Sequence, residues 1–245
     1  MPVINPVTGL ELIQYQGGMQ PHMLDNVRAL FEDYTVGTPN NQQWAVVSTG
    51  TGSTTTKVTT GEQDHPGVLE VRAGTTATAG SMQRGVYTSP QIRMSDGPWR
   101  MVEMARLAQL SDGTNTFNCM LCGLSNITGV TSTTVVDGIW FEYTHTLNGG
   151  EWTAICRTNN VQTALSAGIV ADTNWHEFTI EGAANSGQVD FFIDDVRVVS
   201  IAENVPPASV TLNYLTGRML KSAGAITRSL FIDYFFHGFS YLEPR

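Results

Sequence analysis

The chain has 245 residues and a net charge of −9, with 13 Lys and Arg against 22 Asp and Glu. It therefore lacks the basic stripe that displaces counterions from nucleic acid, and anionic membranes repel it. Only 14% of its residues are charged, well under the roughly 25% of ordinary soluble domains, and no run approaches the roughly 20 apolar residues of a membrane span.

Residues 1–37 read as an N-terminal arm and short helix, and residues 38–245 as one jelly-roll β-sandwich domain. The start, Met1 to Pro6, has neither a basic region nor an apolar core, so no signal peptide is expected. Pro2, Val3, Ile4, Leu10, Leu12 and Ile13 are apolar residues with no core of their own, which makes them the candidate partner-binding set. From Pro21 the spacing of Leu24, Val27, Leu30 and Phe31 predicts a helix, the only one in the chain.

Strands and turns follow. Val46 and Val47 lead into a Gly/Thr/Ser loop over 48–56, and Gly67 to Arg72 alternates. Trp99 to Leu110 is a long alternating run that sets Met101, Ala105 and Leu107 opposite Val102 and Met104. Ile139, Phe141 and Tyr143 alternate with Trp140, Glu142 and Thr144. Asn148-Gly149-Gly150 turns into Trp152–Arg157, and Asn159-Asn160 turns into Val161–Ala167. Trp175–Glu181 pairs across a turn at 185–187 with Val189, Phe191 and Ile193, and Asp194-Asp195 turns into Val196–Ile201. Leu230, Ile232, Tyr234 and Phe236 close the series. About a dozen short strands at this spacing predict an all-β sandwich with a core that includes Trp175, Phe178, Ile180, Val189, Phe191 and Ile193.

Cys119 and Cys122 are spaced as CxxC, but in a strand residues three apart face opposite sides, so with Cys156 they read as buried free thiols. Asp190 and Asp194 share a strand, with Asp194 at its turn and no Glu beside them. Glu103 and Glu142 lie mid-strand. Arg100 and Arg106 flank Glu103, which predicts a carboxylate–arginine network on a half-buried face, and the functional alternative is the polar lining of a glycan groove. His145 and His176 read as structural, Trp140, Trp152 and Trp175 as core, and Trp99 as an edge residue; Asp112-Gly113-Thr114-Asn115 reads as a turn. No catalytic set, metal cluster or cofactor loop is expected.

Asn174-Trp175-His176-Glu-Phe-Thr-Ile followed by Gly187-Gln-Val189-Asp-Phe191-Phe192-Ile193-Asp194 resembles the laminin-G/concanavalin A-like jelly roll. Asp195 stands where that family usually has Gly. Further segments, including His65-Pro66-Gly67, Asp137-Gly138-Ile-Trp-Phe-Glu142-Tyr143 and Asn204-Val205-Pro206, are similar to tailed-bacteriophage virion structural proteins. The likeness spans residues 30–240. It implies a capsid decoration (cement) protein on the outer surface of the head, made in the host cytoplasm. Its partners would be the major capsid protein and copies of itself as a homotrimer. The alternative it implies is a receptor-binding module of a tail fibre, with host surface glycans as ligands. Neither nucleic acid nor membrane is an expected partner.

Overall fold

The computed structural model describes residues 14–15, 18–19, 27–34, 44–58, 64–86, 92–93, 97–132, 135–145, 148–183 and 187–240. Its strands begin with β1 (Gln14–Tyr15), β2 (Gly18–Met19), β3 (Val27–Glu32), β4 (Trp44–Thr49), β5 (Thr54–Val58), β6 (Val68–Ala73), β7 (Gly80–Gly85), β8 (Ile92–Arg93) and β9 (Trp99–Leu107). They continue with β10 (Phe117–Ser125), β11 (Gly138–Thr144), β12 (Glu151–Thr158), β13 (Val161–Val170), β14 (His176–Gly182), β15 (Val189–Ile193), β16 (Val196–Ile201), β17 (Thr211–Lys221) and β18 (Arg228–Ser240). β1 and β2 pair only with each other. The rest form two antiparallel sheets. The first runs β13-β12-β11-β10-β17-β7-β4, with β8 also on β17; the second runs β16-β15-β14-β9-β18-β6-β5, with β3 also on β18.

The expected all-β jelly roll is the observed architecture. Its core lies between the sheets because alternate residues of each strand face inward. Phe141 on β11 meets Phe178 and Phe191 of the opposite sheet edge-to-face, each at 5.2 Å between ring centres, and Trp152 packs on Phe178 at 4.8 Å. Each such side chain, fully buried, stabilises the fold by about 1.5–3 kcal/mol. Of the residues expected in the core, Trp175 lies instead on the outward face of the second sheet, against His65 and Arg106.

Over its described part, residues 27–32, the expected helix is a strand instead, and Leu24 lies outside the described residues. Val27–Glu32 pairs antiparallel with β18, Phe31 opposite Phe236, and among the described residues the only helical turn is a 3-10 turn at Asn148–Gly150. The helical spacing of Leu24, Val27, Leu30 and Phe31 loses to tertiary pairing: Leu30 packs on the core while Phe31 turns outward and stacks on Tyr234 at 6.2 Å. Tyr34, within the segment read as the arm, is a buried core residue whose hydroxyl donates to Gln83 Oε1 at 3.1 Å. The loop expected over 48–56 is shorter, because the β-branched run from Thr54 forms β5.

Two local devices fix the register. In β10 the pairing with β11 shifts between Leu121 and Leu124, and Cys122 takes a φ of 45°, the mark of a bulge. The bulge cancels the alternation, so Cys119 and Cys122 both face the core rather than opposite sides. At the β15–β16 turn Asp194 and Asp195 have φ of 51° and 63°, as a tight primed turn needs, so Asp195 serves where the related sequences use Gly.

Asp194 also reaches back to β14, accepting from the Glu177 N–H at 2.9 Å and from His176 Nδ1 at 2.6 Å, while His176 Nε2 lies 3.1 Å from Asp172. Partial burial pulls the His176 pKa down, but its hydrogen bonds to Asp194 and Asp172 outweigh that and raise it. A raised folded-state pKa stabilises fully below the unfolded value of about 6.5, and the contribution fades as pH rises through the folded value. His176→Ala is therefore expected to cost about 1 kcal/mol, since both carboxylates are half exposed, lowering Tm by about 2–4 °C at mildly acidic pH. Thermal melts of the two proteins at a series of pH values check this: the gap should narrow at alkaline pH, and a gap that widens contradicts the clamp.

Candidate functional site

The outward face of the first sheet divides into a covered part and an open part. In the covered part Met82, Met120, Trp140, Ile155 and Leu215 project away from the core and are capped by Ile127, Val130 and Val135, forming a second buried cluster. Arg218, itself buried, holds the cap: Nε donates to the Val130 carbonyl at 2.8 Å and Nη2 to that of Ser132 at 3.1 Å. Asn126 closes the base of the segment by accepting from the N–H groups of Val136 at 3.1 Å and Asp137 at 3.3 Å.

The open part carries polar side chains on three adjacent strands. Asn118 donates to Thr144 Oγ1 at 2.8 Å, Thr144 donates to Glu142 Oε1 at 3.2 Å, and Trp140 Nε1 donates to Glu142 Oε2 at 3.0 Å. One strand over, Asn148 donates to Thr153 Oγ1 at 2.9 Å, and Glu151 accepts from Ser166 Oγ on β13. Since Glu142 pairs with Thr153 across β11 and β12, Glu151 lies diagonal to it on the same face. Glu142 is held between Trp140 and Thr144, whereas Glu151 leans to the far strand, so the two carboxylates do not face each other across a gap.

A concavity lies elsewhere, at the ends of β9, β14 and β15. It is a recess of about 360 Å³ bounded by Trp99, Gly182, Ala183, Gln188 and the segment Val205–Ala208. Trp99 is buried rather than at an edge, its ring laid against Gly182 so closely that a β-carbon there would sit 2.5 Å from it. The walls are mostly apolar, and Gln188 is the one amide side chain among them.

A family model described as SO2946-like, C-terminal domain, matches residues 64–233. The chain belongs to this family. Among solved structures, the protein of unknown function SO2946 from Shewanella oneidensis MR-1 superposes with a TM-score of 0.60 at 12% identity, over 95% of this chain and 99% of that one. The Emp47p carbohydrate recognition domain gives 0.59 at 9%, over 90% and 100%, and a Bacillus licheniformis beta-glucanase gives 0.50 at 11%, over 85% and 97%. At these identities the likeness is one of fold, the concanavalin A-like jelly roll. No curated protein matches in sequence.

In this SO2946-like domain the residues singled out by sequence separate. Pro2, Val3, Ile4, Leu10, Leu12 and Ile13 lie outside the described residues. Glu142 stands in the open polar patch, but Glu103 does not join an arginine network. It points into the core, where burial pushes its pKa well up and the backbone amide of Cys122 opposes this only in part. Neither Glu103 oxygen has a hydrogen bond of full geometry, so little in its surroundings compensates a charge there and burial favours the protonated form. Its expected partners serve the outward face of the second sheet. There Arg100 pairs with Glu181 at 3.3 Å, and Arg106 lies 4.7 Å from the Phe231 ring centre and 5.2 Å from that of Trp175. Trp175 also stacks on His65 at 4.2 Å.

Trp140 is buried, but beneath the cap rather than between the sheets, and only Trp152 fits its expected place in the core. Asp112 forms the expected turn by accepting from the N–H groups of Thr114 and Asn115. The Asn115 amides, foremost, hold its pKa down to about 2. Among the described residues no three His, Cys, Asp or Glu side chains converge to hold a metal ion. Asn118, Thr153, Glu151 and Arg218 were not singled out; for Glu151 and Thr153 the alternation of β12 against core residues Trp152 and Ala154 was the available signal.

Burial pushes the Cys119 and Cys122 thiols well up and Cys156 to about 12. All three are expected to resist a thiol-directed reagent in the native protein and to react together on unfolding. A time course with a chromogenic disulfide checks this, and one fast-reacting thiol in native buffer contradicts it.

Proposed function

We propose that this domain is a non-catalytic glycan-binding module whose ligand lies on the open part of the first sheet, beside the capping segment. The observation that carries the reading is the polar patch itself. Asn118, Thr144, Glu142 and Glu151 bring amide, hydroxyl and carboxylate groups together on one sheet face, the donor and acceptor mixture that matches adjacent sugar hydroxyls. The folds of the Emp47p carbohydrate recognition domain and the glucanase support a sugar ligand for a jelly roll of this kind. The recess at Trp99 fits less well, because its walls offer few groups that hydrogen-bond hydroxyls.

Binding is favoured over hydrolysis by the carboxylate geometry. Glycoside cleavage places two carboxyl groups on either side of the scissile bond. Here Glu142 is fixed by Trp140 and Thr144, and Glu151 is committed to Ser166. Among readings of the whole protein, a tail-fibre receptor module is the one this site supports. Capsid decoration stays a proposal from sequence, since the arm it relies on lies outside the described residues.

Glu142→Gln is expected to weaken glycan affinity about tenfold or more, the loss of a charge-assisted hydrogen bond worth about 1.5–3 kcal/mol. Its Tm should stay near that of the native chain. Glu177→Gln, on the other sheet's outward face, should leave affinity unchanged. Titration calorimetry against ligands chosen from a glycan array, with a reducing-end assay on the same glycans, checks both points. Unchanged affinity in Glu142→Gln contradicts the site, and cleavage that Glu142→Gln abolishes contradicts the non-catalytic reading.

A further inference from the structure

We infer that Arg218 is a positioning residue for the glycan site: it fastens the capping segment over Trp140, and the trapped Trp140 indole in turn fixes Glu142. Only the last step, from Glu142 to a ligand, rests on the glycan reading. Alternate residues of β11 leave the sheet on one face, so Trp140 and Glu142 project outward side by side. The indole Nε1 donates to Glu142 Oε2 at 3.0 Å, and with the bond from Thr144 this is one of the two that hold the carboxylate. The ring itself is 2% exposed, so it cannot serve as a stacking platform for a sugar. Its contribution to the site is the aim of its N–H.

That aim is set from two sides. Against the sheet, a β-carbon at Gly123 would lie 2.7 Å from Trp140 Cβ and one at Gly138 3.0 Å from Trp140 Cζ3, so glycine at both positions leaves room for the ring. Over it lie Ile127, Val130 and Val135. Asn126 ties the neck of this segment, but its far end is held by Arg218, through the carbonyls of Val130 and Ser132. Arg218 Nη1 also donates to Met120 Sδ at 2.9 Å. Met120 pairs with Arg218 on one side and with Glu142 on the other, so the three form a row across β17, β10 and β11. Burial lowers the Arg218 pKa, and the Glu142 carboxylate is the foremost group opposing it. A buried cation adds little to stability by itself, so its effect here lies in the geometry it imposes on the cap.

Without the guanidinium, the Val130 and Ser132 carbonyls must turn to water to find donors, and the cap rises from the ring. Trp140 then gains freedom, and Glu142 loses one of its two bonds. Any effect of Arg218 on binding therefore passes through Glu142. Removing both residues must cost no more than removing Glu142 alone, the mark of two groups acting in series.

Arg218→Met tests this, since it keeps an unbranched chain in the apolar cluster and removes every donor. In the unliganded full chain the Trp140 indole N–H resonance should shift and exchange faster with solvent. Affinity for a glycan that the native chain binds should fall about threefold to tenfold, within the range of one weakened charge-assisted hydrogen bond. In a Glu142→Gln background the same substitution should change affinity by less than about twofold. Ile193→Ala, in the core, controls for lost stability: it should lower Tm yet leave the indole and the affinity unchanged. An indole that Arg218→Met does not move, an affinity it leaves intact while Glu142→Gln weakens binding, or additive effects of the two substitutions overturns the inference. If the indole responds but Glu142→Gln leaves affinity unchanged, the link from Arg218 to Glu142 stands and the glycan reading falls. Should Arg218→Met fail to fold, hydrogen exchange of the native chain decides. The Trp140 indole and the Val136 amide should open together, and an indole that exchanges freely while Val136 stays protected overturns the inference.

Discussion

Successive side chains of a strand leave it on opposite sides, so a two-layered sandwich can bury only half of them in its core, and the outward half must find other cover. The first sheet turns Met82, Met120, Trp140, Ile155 and Leu215 outward, and leaving them in water would forfeit a large share of the fold's hydrophobic stabilisation. The segment carrying Ile127, Val130 and Val135 resolves this by folding back over them. Its main chain then needs partners, and Arg218 supplies two carbonyls with donors from below. The cap ends short of the β10–β12 corner, and there the outward residues change from apolar to Asn118, Thr144, Glu142 and Glu151. The patch is thus the stretch of that face that the described residues leave partly open.

The second sheet meets the same constraint differently. Its outward face is covered by its own long side chains: Arg106 lies over Phe231 and Trp175, Trp175 on His65, and His65 on Asp233 at 2.8 Å. Tyr234 donates to Glu177 at 2.7 Å, and Arg100 pairs with Glu181. The aromatic and charged groups that would suit a ligand are there engaged with one another. Glu103 lies one residue out of phase with this face and ends in the core, where burial raises its pKa. Two glutamates of similar sequence context thus reach opposite environments through the parity of their strands.

Much of this was legible. The period-two runs located β9, β11, β14 and β15, and the Asp194-Asp195 turn was readable because aspartate tolerates positive φ. Two strands were not. β17 is central and covered on both faces, eight consecutive residues from Leu212 to Met219 being buried, so it shows no alternation to find. β7 reads Gly-Ser-Met-Gln-Arg-Gly, a polar sequence made tolerable by cross-sheet bonds such as Ser81 with Thr55 at 2.6 Å. The bulge at Cys122 was equally silent, and it alone reverses which way the second cysteine points. At the site, Glu142 was visible as a mid-strand carboxylate. Its companions depend on the registry of three strands, which no local pattern encodes.

On the glycan-binding reading, the ligand face is the open corner of the first sheet. Backbone and side-chain amide NMR of the full chain, titrated with an oligosaccharide that binds, tests it most directly. Shifts confined to Asn118, Glu142, Thr144, Asn148 and Glu151, with the Trp140 indole resonance moving through its bond to Glu142, are the predicted result. Shifts centred instead on Trp99, Gly182 and Val189, or on Trp175 and Arg106, would contradict it.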